Sequence, residues 1–569
     1  MNAMTALRIE EPHDDDVAFA RPRGYPADLD HALDLSAPDL VARLELATRK
    51  YPRHTCLEYF GTRLSYADVW QRACRFSDAL RLMGMGQGDR VMIVMPNAPE
   101  AVIALLATLI GGGIIVMSNP LLSRDEHAFQ VSDSAPKVAI VLDMLAPRFS
   151  ELMQGQQAGA LAHIVSCHLG DAMPWHQRTV GRWLNKIPRQ PISRLKGVIA
   201  FGDALRVGRG DAHQPVAAHE DDTAVLIYTG GTTGKPKAVE LSRGNVSANI
   251  SQIAAWLNFL EDGHTNVLGV FPLFSAAGLN ALLLHTFVRG GTLSLIPRPT
   301  PEAILDVLKR LPIHVLPAVP TIYTGLMRDA RFMRAAPRLI RHVKVCLSGA
   351  APLPESLNQQ WEKMLGMPIH ELYGMTETSA MAFGNRPGSP IKSGSAGLPL
   401  PRLQCQIMDL KHEGRQLGTG QVGEICLRGP QILSRYFKQP EETSKVIKDG
   451  WLHTGDLGWL DEDGYLFISG RKKEMVISAG YNVYPAEIES VLSTLPGVLE
   501  CACIGVKDDY RGEAVKAFIV ADPNMPFSVD EALAHCGRHL ARYKVPREVV
   551  LVSELPKNPL GKVLKQMLS

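Results

Sequence analysis

Short apolar runs rich in β-branched residues alternate with helical stretches between about residue 50 and residue 350. The runs are RVMIVM (90–95), VAIVL (138–142), AVLIY (224–228), TLSLI (292–296), HVLPAV (314–319) and VKVCLSG (343–349). Because strands that alternate with helices form parallel sheets covered by helices, this region predicts an α/β fold. The 569 residues are enough for about three to four structural units of roughly 150 residues each.

The pattern changes twice further along the chain. Between about residues 395 and 470, short strands separated by Gly, Asp and Pro predict a small antiparallel barrel or sheet. After Arg471-Lys472-Lys473, strands and helices alternate again up to Ser569. We therefore expect a large multi-unit first part and a second, mobile lobe.

Composition narrows the classes of protein. Sixty basic and 58 acidic residues leave a formal charge of +2, so nucleic acid is not an expected partner. Nine scattered cysteines without zinc spacing predict buried, reduced thiols, with Cys501 and Cys503 on one face of a strand.

Residues 101–117 are almost wholly apolar, but glycines at 111–113 predict a buried helix, a turn and a buried strand rather than a membrane span. The first twenty residues show no apolar signal segment, so a cytoplasmic location is expected.

The segment AVLIYTGGTTGKPKAVELSRGN (224–245) is the most informative for function. An apolar strand enters a loop of glycines, threonines and a lysine, whose N–H groups, hydroxyls and charge suit a phosphate. The segment is not a Walker loop, because Thr229 and Pro236 stand where Gly and Ser or Thr are required. The apolar stripe from Val246 to Leu260 predicts that the loop joins a strand to a packed helix. A flexible surface turn accounts for the composition of the loop alone.

Five further residues suit a nucleotide. In ELYGMTET, Thr376 offers a neutral donor for a phosphate oxygen and Glu377 a hard oxygen ligand for Mg²⁺, although a Thr-capped helix explains the pair equally well. Asp456 in TGDLG is a candidate acceptor for ribose hydroxyls, and Arg471 stands at the lobe boundary. Lys562 lies in a glycine-preceded loop near the chain end, where a lone lysine is usually a solvated charge.

The order and wording of these segments resemble the adenylate-forming, AMP-binding superfamily, and most closely its long-chain fatty-acid-CoA ligases. The resemblance runs from about residue 25 to the C-terminus and rests on YTGGTTGKPKAV, SGAAPLP, ELYGMTET, GSAGLPLP, GWLHTGDLGWLDEDGYLFISGRKKEMVISAGYNVYPAEIE and LPKNPLGKVLK. It implies an AMP-binding N-terminal domain over 25–470, with two α/β subdomains to about 395 and a small β-barrel over about 396–470. A hinge at 471–473 and an α+β C-terminal lobe at 474–569 complete the implied fold.

The resemblance also implies a reaction. ATP activates a carboxylic acid as an acyl-adenylate with Mg²⁺ present, and CoA then takes the acyl group, so that pyrophosphate and AMP are released. The implied roles are Lys562 on acid and phosphate oxygens; Thr229, Gly230, Gly231, Thr232, Thr233, Gly234 and Lys237 on the leaving phosphates; Thr376 on the α-phosphate; Glu377 on Mg²⁺; Gly349, Ala350 and Tyr373 at adenine; Asp456 and Arg471 at the ribose; Lys473 as the pivot; and the face of Ser478, Ala479, Gly480 and Tyr481 at the pantetheine arm.

Departures from the family pattern concern the substrate. In FPLFSAAGL (271–279), Ser275 replaces a histidine that many relatives carry, and small side chains leave room for a long or bulky acyl group, so Phe274, Ser275, Ala276 and Gly278 are the predicted pocket. No carboxylate stands there to neutralise an ammonium, which favours an uncharged tail. Ala238 replaces a glycine and Arg243 a histidine, which predicts altered phosphate contacts or an altered interface.

Several alternatives stay open at this point. The leading hypothesis is a CoA ligase for medium- to long-chain fatty acids; the others are a ligase loading a carrier-protein phosphopantetheine, a CoA ligase for a bulky or aromatic acid, and a catalytically silent acyl-nucleotide sensor. The basic stretch at 178–196, with Trp183 and no acid, suits a peripheral membrane contact, but its prolines favour a solvated loop. A monomer or a homodimer is expected.

Overall fold

The computed structural model describes residues 21–569 except 36–38, 156–158, 176, 178, 180–188, 211–214, 230–235, 479–480, 509–511, 524 and 559–560. Its α-helices are α1 Leu40–Lys50, α2 Tyr66–Leu82, α3 Pro99–Ile110, α4 Arg124–Ser134, α5 Ala146–Gln154, α6 Phe201–Val207, α7 Arg243–Trp256, α8 His285–Val288, α9 Pro301–Arg310, α10 Pro320–Arg328, α11 Ala330–Leu339, α12 Glu355–Leu365, α13 Pro440–Val446, α14 Pro485–Ser493 and α15 Val529–His539. A π-helix covers Ala277–Leu284, and a 3₁₀ turn covers Thr376–Thr378.

The β-strands are β1 Thr55–Tyr59, β2 Thr62–Ser65, β3 Arg90–Val94, β4 Ile114–Met117, β5 Val138–Leu142, β6 His163–Cys167, β7 Val198–Ala200, β8 Thr223–Thr229, β9 Lys237–Ser242, β10 Asn266–Gly269, β11 Thr292–Leu295, β12 Val315–Ala318, β13 Val345–Ser348, β14 Ile369–Tyr373, β15 Phe383–Gly384, β16 Ser395–Pro399, β17 Gln404–Met408, β18 Gly423–Arg428, β19 Arg435–Tyr436, β20 Ile447–Lys448, β21 Trp451–Leu460, β22 Leu466–Arg471, β23 Val476–Ser478, β24 Tyr481–Val483, β25 Val498–Asp508, β26 Gly512–Ala521 and β27 Glu548–Leu551.

Two large sheets form the first part of the chain. One has the order β19-β9-β8-β4-β3-β5-β6-β7, and its strands β3 to β8 pair in parallel. The other runs from β2 and β1 through the parallel strands β11, β10, β12, β13 and β14. The six apolar runs of the sequence are strands of these sheets, so the predicted α/β class is confirmed.

The antiparallel strands predicted for about 395–470 are present as β16, β17, β18, β21 and β22. They are joined to the second parallel sheet through β15, so that β14 lies between parallel and antiparallel neighbours. This junction places the end of β14 next to β21 and β22. The domain limits inferred from the family resemblance remain predictions.

A smaller C-terminal sheet has the order β24-β23-β26-β25, with β27 beside β26. It packs against α14 and α15. Its last loop touches the large domain, because a Cβ added at Gly561 would lie 2.9 Å from Thr321 Oγ1. Gly561 also has φ +77°, a conformation that favours glycine.

The apolar run at 101–117 folds as predicted. All of α3 is buried, Pro99 starts it at the first turn, and the glycines at 111–113 lead into β4. Across the part of the chain that the structure describes, no helix has the length and apolar character needed to span a membrane. All nine cysteines are free, and Cys501 and Cys503 belong to the same C-terminal core.

Candidate functional site

Residues from three separate motifs meet where the ends of β14 and β22 lie beside the middle of β21. Asp456 is 5 % exposed and accepts a 2.7 Å hydrogen bond at Oδ2 from the Tyr373 hydroxyl. Arg471 Nε lies 3.0 Å from Asp456 Oδ1, because β21 and β22 pair these two residues directly. Burial and the Asp456 charge raise the pKa of Tyr373 well above its usual value, so it stays a neutral donor. Tyr373, predicted at the adenine, therefore forms one cluster with Asp456 and Arg471, predicted at the ribose.

The C-terminal lobe brings Lys562 to this cluster. Burial lowers the pKa of Lys562, the Arg471 charge lowers it further, and the charges of Asp456 and Glu474 oppose the change. The Lys562 N–H donates to Asn558 Oδ1 at 2.9 Å, and the Lys562 carbonyl accepts from the Asn558 N–H at 2.9 Å. Lys562 is thus a partly buried ammonium held within electrostatic range of the Asp456–Arg471 pair, rather than a solvated charge.

Glu377 follows β14 in the 3₁₀ turn that Thr376 begins. It is 9 % exposed and accepts a 2.9 Å hydrogen bond at Oε1 from the Tyr436 hydroxyl. Burial raises the pKa of Glu377, while the Tyr436 hydrogen bond and the Arg471 charge oppose the shift. A buried carboxylate whose charge is costly fits a hard divalent cation, and Mg²⁺ commonly takes one protein carboxylate together with substrate phosphates.

The phosphate loop lies outside the described residues, so Gly230, Gly231, Thr232, Thr233 and Gly234 have no structural description. Its flanks are described: Thr229 ends β8, Lys237 begins β9, and the two residues pair in antiparallel register. The prediction that the loop joins a strand to a helix is wrong, because residues 237–242 form a strand and α7 begins only at Arg243. The run KAVELS pairs with β8 before the helical stripe starts.

Lys237, predicted to hold phosphate, already has an anionic partner. Its ammonium forms an ion pair with Glu442 and lies 5.2 Å from the centre of the Tyr436 ring. Lys237 and then Lys445 lower the pKa of Glu442 to about 2, so the carboxylate is charged at neutral pH. No sequence pattern indicated Glu442, which lies about 200 residues from Lys237 along the chain.

We expect Glu442→Gln to lower the KM for ATP by about two- to fivefold, because loss of this partly exposed ion pair costs little stability and frees Lys237 for phosphate. The measurement is the ATP dependence of pyrophosphate exchange. Glu441→Gln, on the same helix turn, is the matched control. A KM that rises in Glu442→Gln would show that the carboxylate positions Lys237 instead of competing for it.

The predicted adenine slot is formed by the ends of β13 and β14. Gly349 and Ala350 follow β13, Ala350 has φ +68°, and Tyr373 ends β14. Sequence analysis missed Glu371, two residues before Tyr373 and on the same side of the strand. Its Oε1 accepts the Leu353 N–H at 3.1 Å, and burial raises its pKa to about 8. The carboxylate within this strand was the sequence feature that could have indicated Glu371.

The raised pKa of Glu371 predicts a pH dependence of stability. The folded protein keeps a proton that the unfolded chain releases, so this group makes stability fall as pH rises from about 4.5 to about 8, by up to about 1.4 kcal/mol per pH unit. We expect Glu371→Gln to lose this component and to melt higher than the wild type near pH 8. Thermal unfolding from pH 5 to 8 measures it, with exposed Glu355→Gln as the control. Parallel pH profiles for Glu371→Gln and the wild type would contradict the prediction.

The segment 274–278 shapes the start of the π-helix. Ser275 Oγ donates to the Pro272 carbonyl at 2.8 Å and accepts the Gly278 N–H at 3.2 Å. A Cβ at Gly278 would lie 1.9 Å from the Pro272 carbonyl oxygen, so only glycine fits. The pocket role predicted for Phe274, Ser275, Ala276 and Gly278 stays a prediction.

An apolar cavity, which we call the acyl cavity, lies one to two turns further along the same segment. Its volume is about 50 Å³. Within the described residues, its walls come from α7, the π-helix, α8 and the central sheet, and none of residues 274–278 lines it. The lining residues are Ile253, Leu257, Leu260, Thr265, Val267, Phe271, Ala281, Leu282, His285, Thr286, Arg289, Gly291, Val315, Pro317, Leu347, Leu372 and Met381.

The two other departures from the family pattern are structural. Arg243 is 2 % exposed, and its guanidinium donates to the Leu109 carbonyl at 3.0 Å and lies 3.4 Å from Asp39 Oδ1. Of the two outcomes predicted for Arg243, the structure supports an interface between helices. Ala238 is buried in β9, where its carbonyl accepts the Phe437 N–H at 2.9 Å.

The predicted pivot lies in a turn after β22. Lys473 is exposed there, while the preceding Lys472 donates its N–H to the Gly455 carbonyl at 2.9 Å and pairs with Glu424 at 3.1 Å. Of the predicted pantetheine face, Ser478 is buried at the end of β23 and Tyr481 begins β24. Ala479 and Gly480 lie outside the described residues.

Comparisons with known proteins identify the family. The family model described as AMP-binding enzyme matches residues 44–437, and that described as AMP-binding enzyme C-terminal domain matches residues 487–562. The chain belongs to the family of AMP-binding enzymes, which confirms the predicted resemblance and the division into a large N-terminal and a small C-terminal domain.

Known proteins are similar to this chain over almost its whole length. A long-chain-fatty-acid–CoA ligase of Bacillus subtilis (strain 168) is 33 % identical over 546 residues, covering 96 % of each chain. A feruloyl-CoA synthase of an Amycolatopsis species is 32 % identical, covering 91 % of this chain and 96 % of that one. Among solved structures, ATP-bound MatB from Rhodopseudomonas palustris has a TM-score of 0.82 at 29 % identity, covering 93 % of this chain and 98 % of that one. The anthranilate CoA ligase AuaEII in complex with anthranoyl-AMP has a TM-score of 0.83 at 26 % identity, covering 93 % and 97 %.

Proposed function

We propose that this enzyme activates a medium- to long-chain fatty acid with ATP and transfers the acyl group to CoA, with release of pyrophosphate and AMP. The observation that carries the proposal is that Lys562 of the C-terminal lobe lies within electrostatic range of the Asp456–Arg471 pair, which is bonded to Tyr373, the residue after the cavity-lining Leu372. Similarity to proteins named long-chain-fatty-acid–CoA ligase supports the same function.

The first step needs charge stabilisation more than covalent help from the protein. A carboxylate oxygen attacks the α-phosphorus of ATP, the bond to the bridging oxygen breaks, and pyrophosphate leaves with the electron pair. Negative charge on the α-phosphate is then met by the Lys562 ammonium and the Thr376 hydroxyl, while Asp456 orients the ribose. Glu377 would hold Mg²⁺, whose positive charge supports the departure of pyrophosphate.

The second step requires that Lys562 leave its position beside the α-phosphate. The CoA thiolate attacks the acyl carbon of the adenylate, and AMP leaves with the former carboxylate oxygen. Since a lysine at the α-phosphate blocks that approach, we propose that the C-terminal lobe turns about 471–473 and presents the face that includes Ser478 and Gly480. The contact of Gly561 with Thr321 belongs to the first orientation and would break on turning.

The acyl cavity supports an uncharged, extended substrate. Strands β10, β12, β13 and β14 pair side by side in parallel, so positions can be counted across them along the strand direction. Val267 lies two residues beyond Thr265 and is level with Val315, and Leu372 lies four residues beyond that pair, which makes six residues in all. Parallel strands rise about 3.3 Å per residue, so the residues that line the cavity extend along the sheet for about 20 Å. With carbon–carbon bonds of about 1.5 Å, a zigzag chain advances about 1.3 Å per carbon. The length therefore suits about fifteen carbons.

The test is a panel of acids scored by ATP–pyrophosphate exchange and by AMP release with CoA. We expect exchange to depend on the acid and to increase up to a chain of about fifteen carbons. Exchange that is equal with and without acid would reject the proposal. The panel includes aromatic acids because a feruloyl-CoA synthase is among the similar proteins, and an acyl carrier protein is offered in place of CoA to test the alternative acceptor.

The cellular setting is also proposed. We propose a cytoplasmic enzyme that binds a membrane surface reversibly, because its substrate is hydrophobic. Trp175, which is 73 % exposed, lies just before the basic stretch and suits such a contact. Most of that stretch lies outside the described residues; within it, Arg189 is 3.4 Å from Asp171. We propose a monomer or a homodimer.

A further inference from the structure

The far end of the acyl cavity holds two buried polar atoms that have no hydrogen-bond partner among the described residues. They are His285 Nε2 and Thr286 Oγ1, on side chains that are 6 % and 3 % exposed. Both residues line the cavity. Most of the other lining residues are apolar, so these two polar atoms are exceptions among the residues that line the cavity.

The position of the two atoms along the cavity follows from Gly291. Its N–H donates to the Thr286 carbonyl at 3.0 Å, and a Cβ added at Gly291 would lie 3.0 Å from the Thr286 methyl group. Gly291 immediately precedes β11, at the amino end of the parallel strands. Tyr373 and Thr376 lie at the opposite, carboxyl end. The unpartnered pair is therefore remote from the reacting carboxylate, on two residues that line the end of the cavity nearest to the amino ends of the strands.

The other polar groups at this end are already engaged. The Arg289 guanidinium donates to the Leu257 and Leu260 carbonyls at 2.8 and 2.5 Å and pairs with Asp262 at 2.7 Å. Thr265 Oγ1 donates to the Glu261 carbonyl at 2.8 Å. His285 and Thr286 are thus the groups whose hydrogen bonds remain to be made.

His285 is neutral in this position. Burial lowers its pKa to about 3, and the charges of Arg289 and Arg43 contribute in the same direction. Arg43 itself donates to the Ser247 carbonyl at 2.9 Å and to Ser247 Oγ at 2.7 Å. A neutral imidazole and a hydroxyl can each donate or accept a hydrogen bond, and both arginines are committed elsewhere, so the pair suits a neutral oxygen better than a carboxylate.

We propose that His285 and Thr286 bind a hydroxyl or keto oxygen near the far end of the acyl chain, so that the enzyme prefers an oxygenated fatty acid to the plain acid of equal length. The inference rests on the proposed function. A buried polar group without a partner costs free energy that a matching ligand group recovers, whereas a plain methyl terminus leaves the cost in place.

The experiment compares kcat/KM for thioester formation with plain, ω-hydroxy and dicarboxylic acids of eight and of fourteen to sixteen carbons. We expect the long ω-hydroxy acid to be favoured about tenfold over the plain acid of equal length. The eight-carbon pair should show no preference, because it does not reach the far end. Equal values for the long pair would overturn the inference and leave the proposed function standing. Failure of every acid to support exchange would overturn both.

Variants locate the contact. Thr286→Val keeps the shape and removes the hydroxyl, so the preference should fall severalfold, and the free enzyme should melt at a higher temperature. Thr265→Val is the matched control, because its hydroxyl is already bonded, and it should keep the preference. His285→Phe should also reduce it. A preference that survives both Thr286→Val and His285→Phe, or a dicarboxylic acid favoured over the ω-hydroxy acid, would overturn the inference.

Discussion

Lys562→Gln should lower acid-dependent ATP–pyrophosphate exchange by about 10²–10³-fold, the usual effect of removing one group that stabilises charge in a transition state. The ammonium lies within electrostatic range of Arg471 and Asp456, and glutamine keeps the length but not the charge. The second step should be nearly unaffected, because Lys562 has left the site by then. The measurement uses both partial reactions: exchange, and release of AMP from a supplied acyl-adenylate with CoA.

Lys557→Gln is the matched control for this variant. Lys557 lies in the same terminal segment, and its ammonium is bonded to Glu500 at 2.6 Å within the lobe. We expect its exchange activity to stay within about threefold of the wild type, since a single exposed or partly exposed ion pair contributes little. If Lys562→Gln slowed both partial reactions equally, the lysine would serve the fold or both steps, and the proposed exchange of groups by lobe rotation would be wrong.

Glu377→Gln should reduce exchange by roughly 100-fold and shift its Mg²⁺ dependence to higher concentration, because the amide is a poor ligand for a hard cation. The fold should persist, since the Tyr436 hydroxyl can donate to the amide oxygen as it does to the carboxylate. Removal of a buried charge whose pKa is raised should also leave the protein at least as stable near pH 7. Exchange rates over a Mg²⁺ series and thermal unfolding measure the two effects.

Tyr436→Phe separates the two roles of this carboxylate. It removes the hydrogen bond to Glu377 and keeps the charge, so we expect a smaller loss of exchange, about tenfold or less. An unchanged Mg²⁺ dependence in Glu377→Gln would contradict the metal role and leave Glu377 as a structural residue of the loop.

Local patterns predicted the strands of the parallel sheets well. RVMIVM and VAIVL became β3 and β5, and the glycine-cut run at 101–117 became α3 and β4. These segments are buried on both faces, so their composition alone specifies their state. The segment 237–242 was not predicted as a strand, because the short run KAVELS lacks a regular alternation of apolar and polar residues and pairs with β8 only once the hairpin closes.

The site was predictable where a residue carries its role in its own motif. Tyr373, Asp456, Arg471 and Lys562 come together although they lie far apart in sequence. Their partners were not predictable, because Glu442 and Tyr436 reach Lys237 and Glu377 only through the tertiary fold. The pocket role predicted for residues 274–278 stays a prediction; the structure shows Ser275 and Gly278 at the start of the π-helix, which the local sequence did not indicate.

The most direct test of the lysine delivered by the C-terminal lobe is a crystal structure with a non-hydrolysable acyl-adenylate analogue of about fifteen carbons. We expect the ribose hydroxyls on Asp456, the acyl chain in the cavity lined by Leu347 and Met381, and Lys562 Nζ within hydrogen-bond distance of an oxygen at the acyl–phosphate junction. A nucleotide bound away from Asp456, with Lys562 in solvent, would contradict the proposed mechanism.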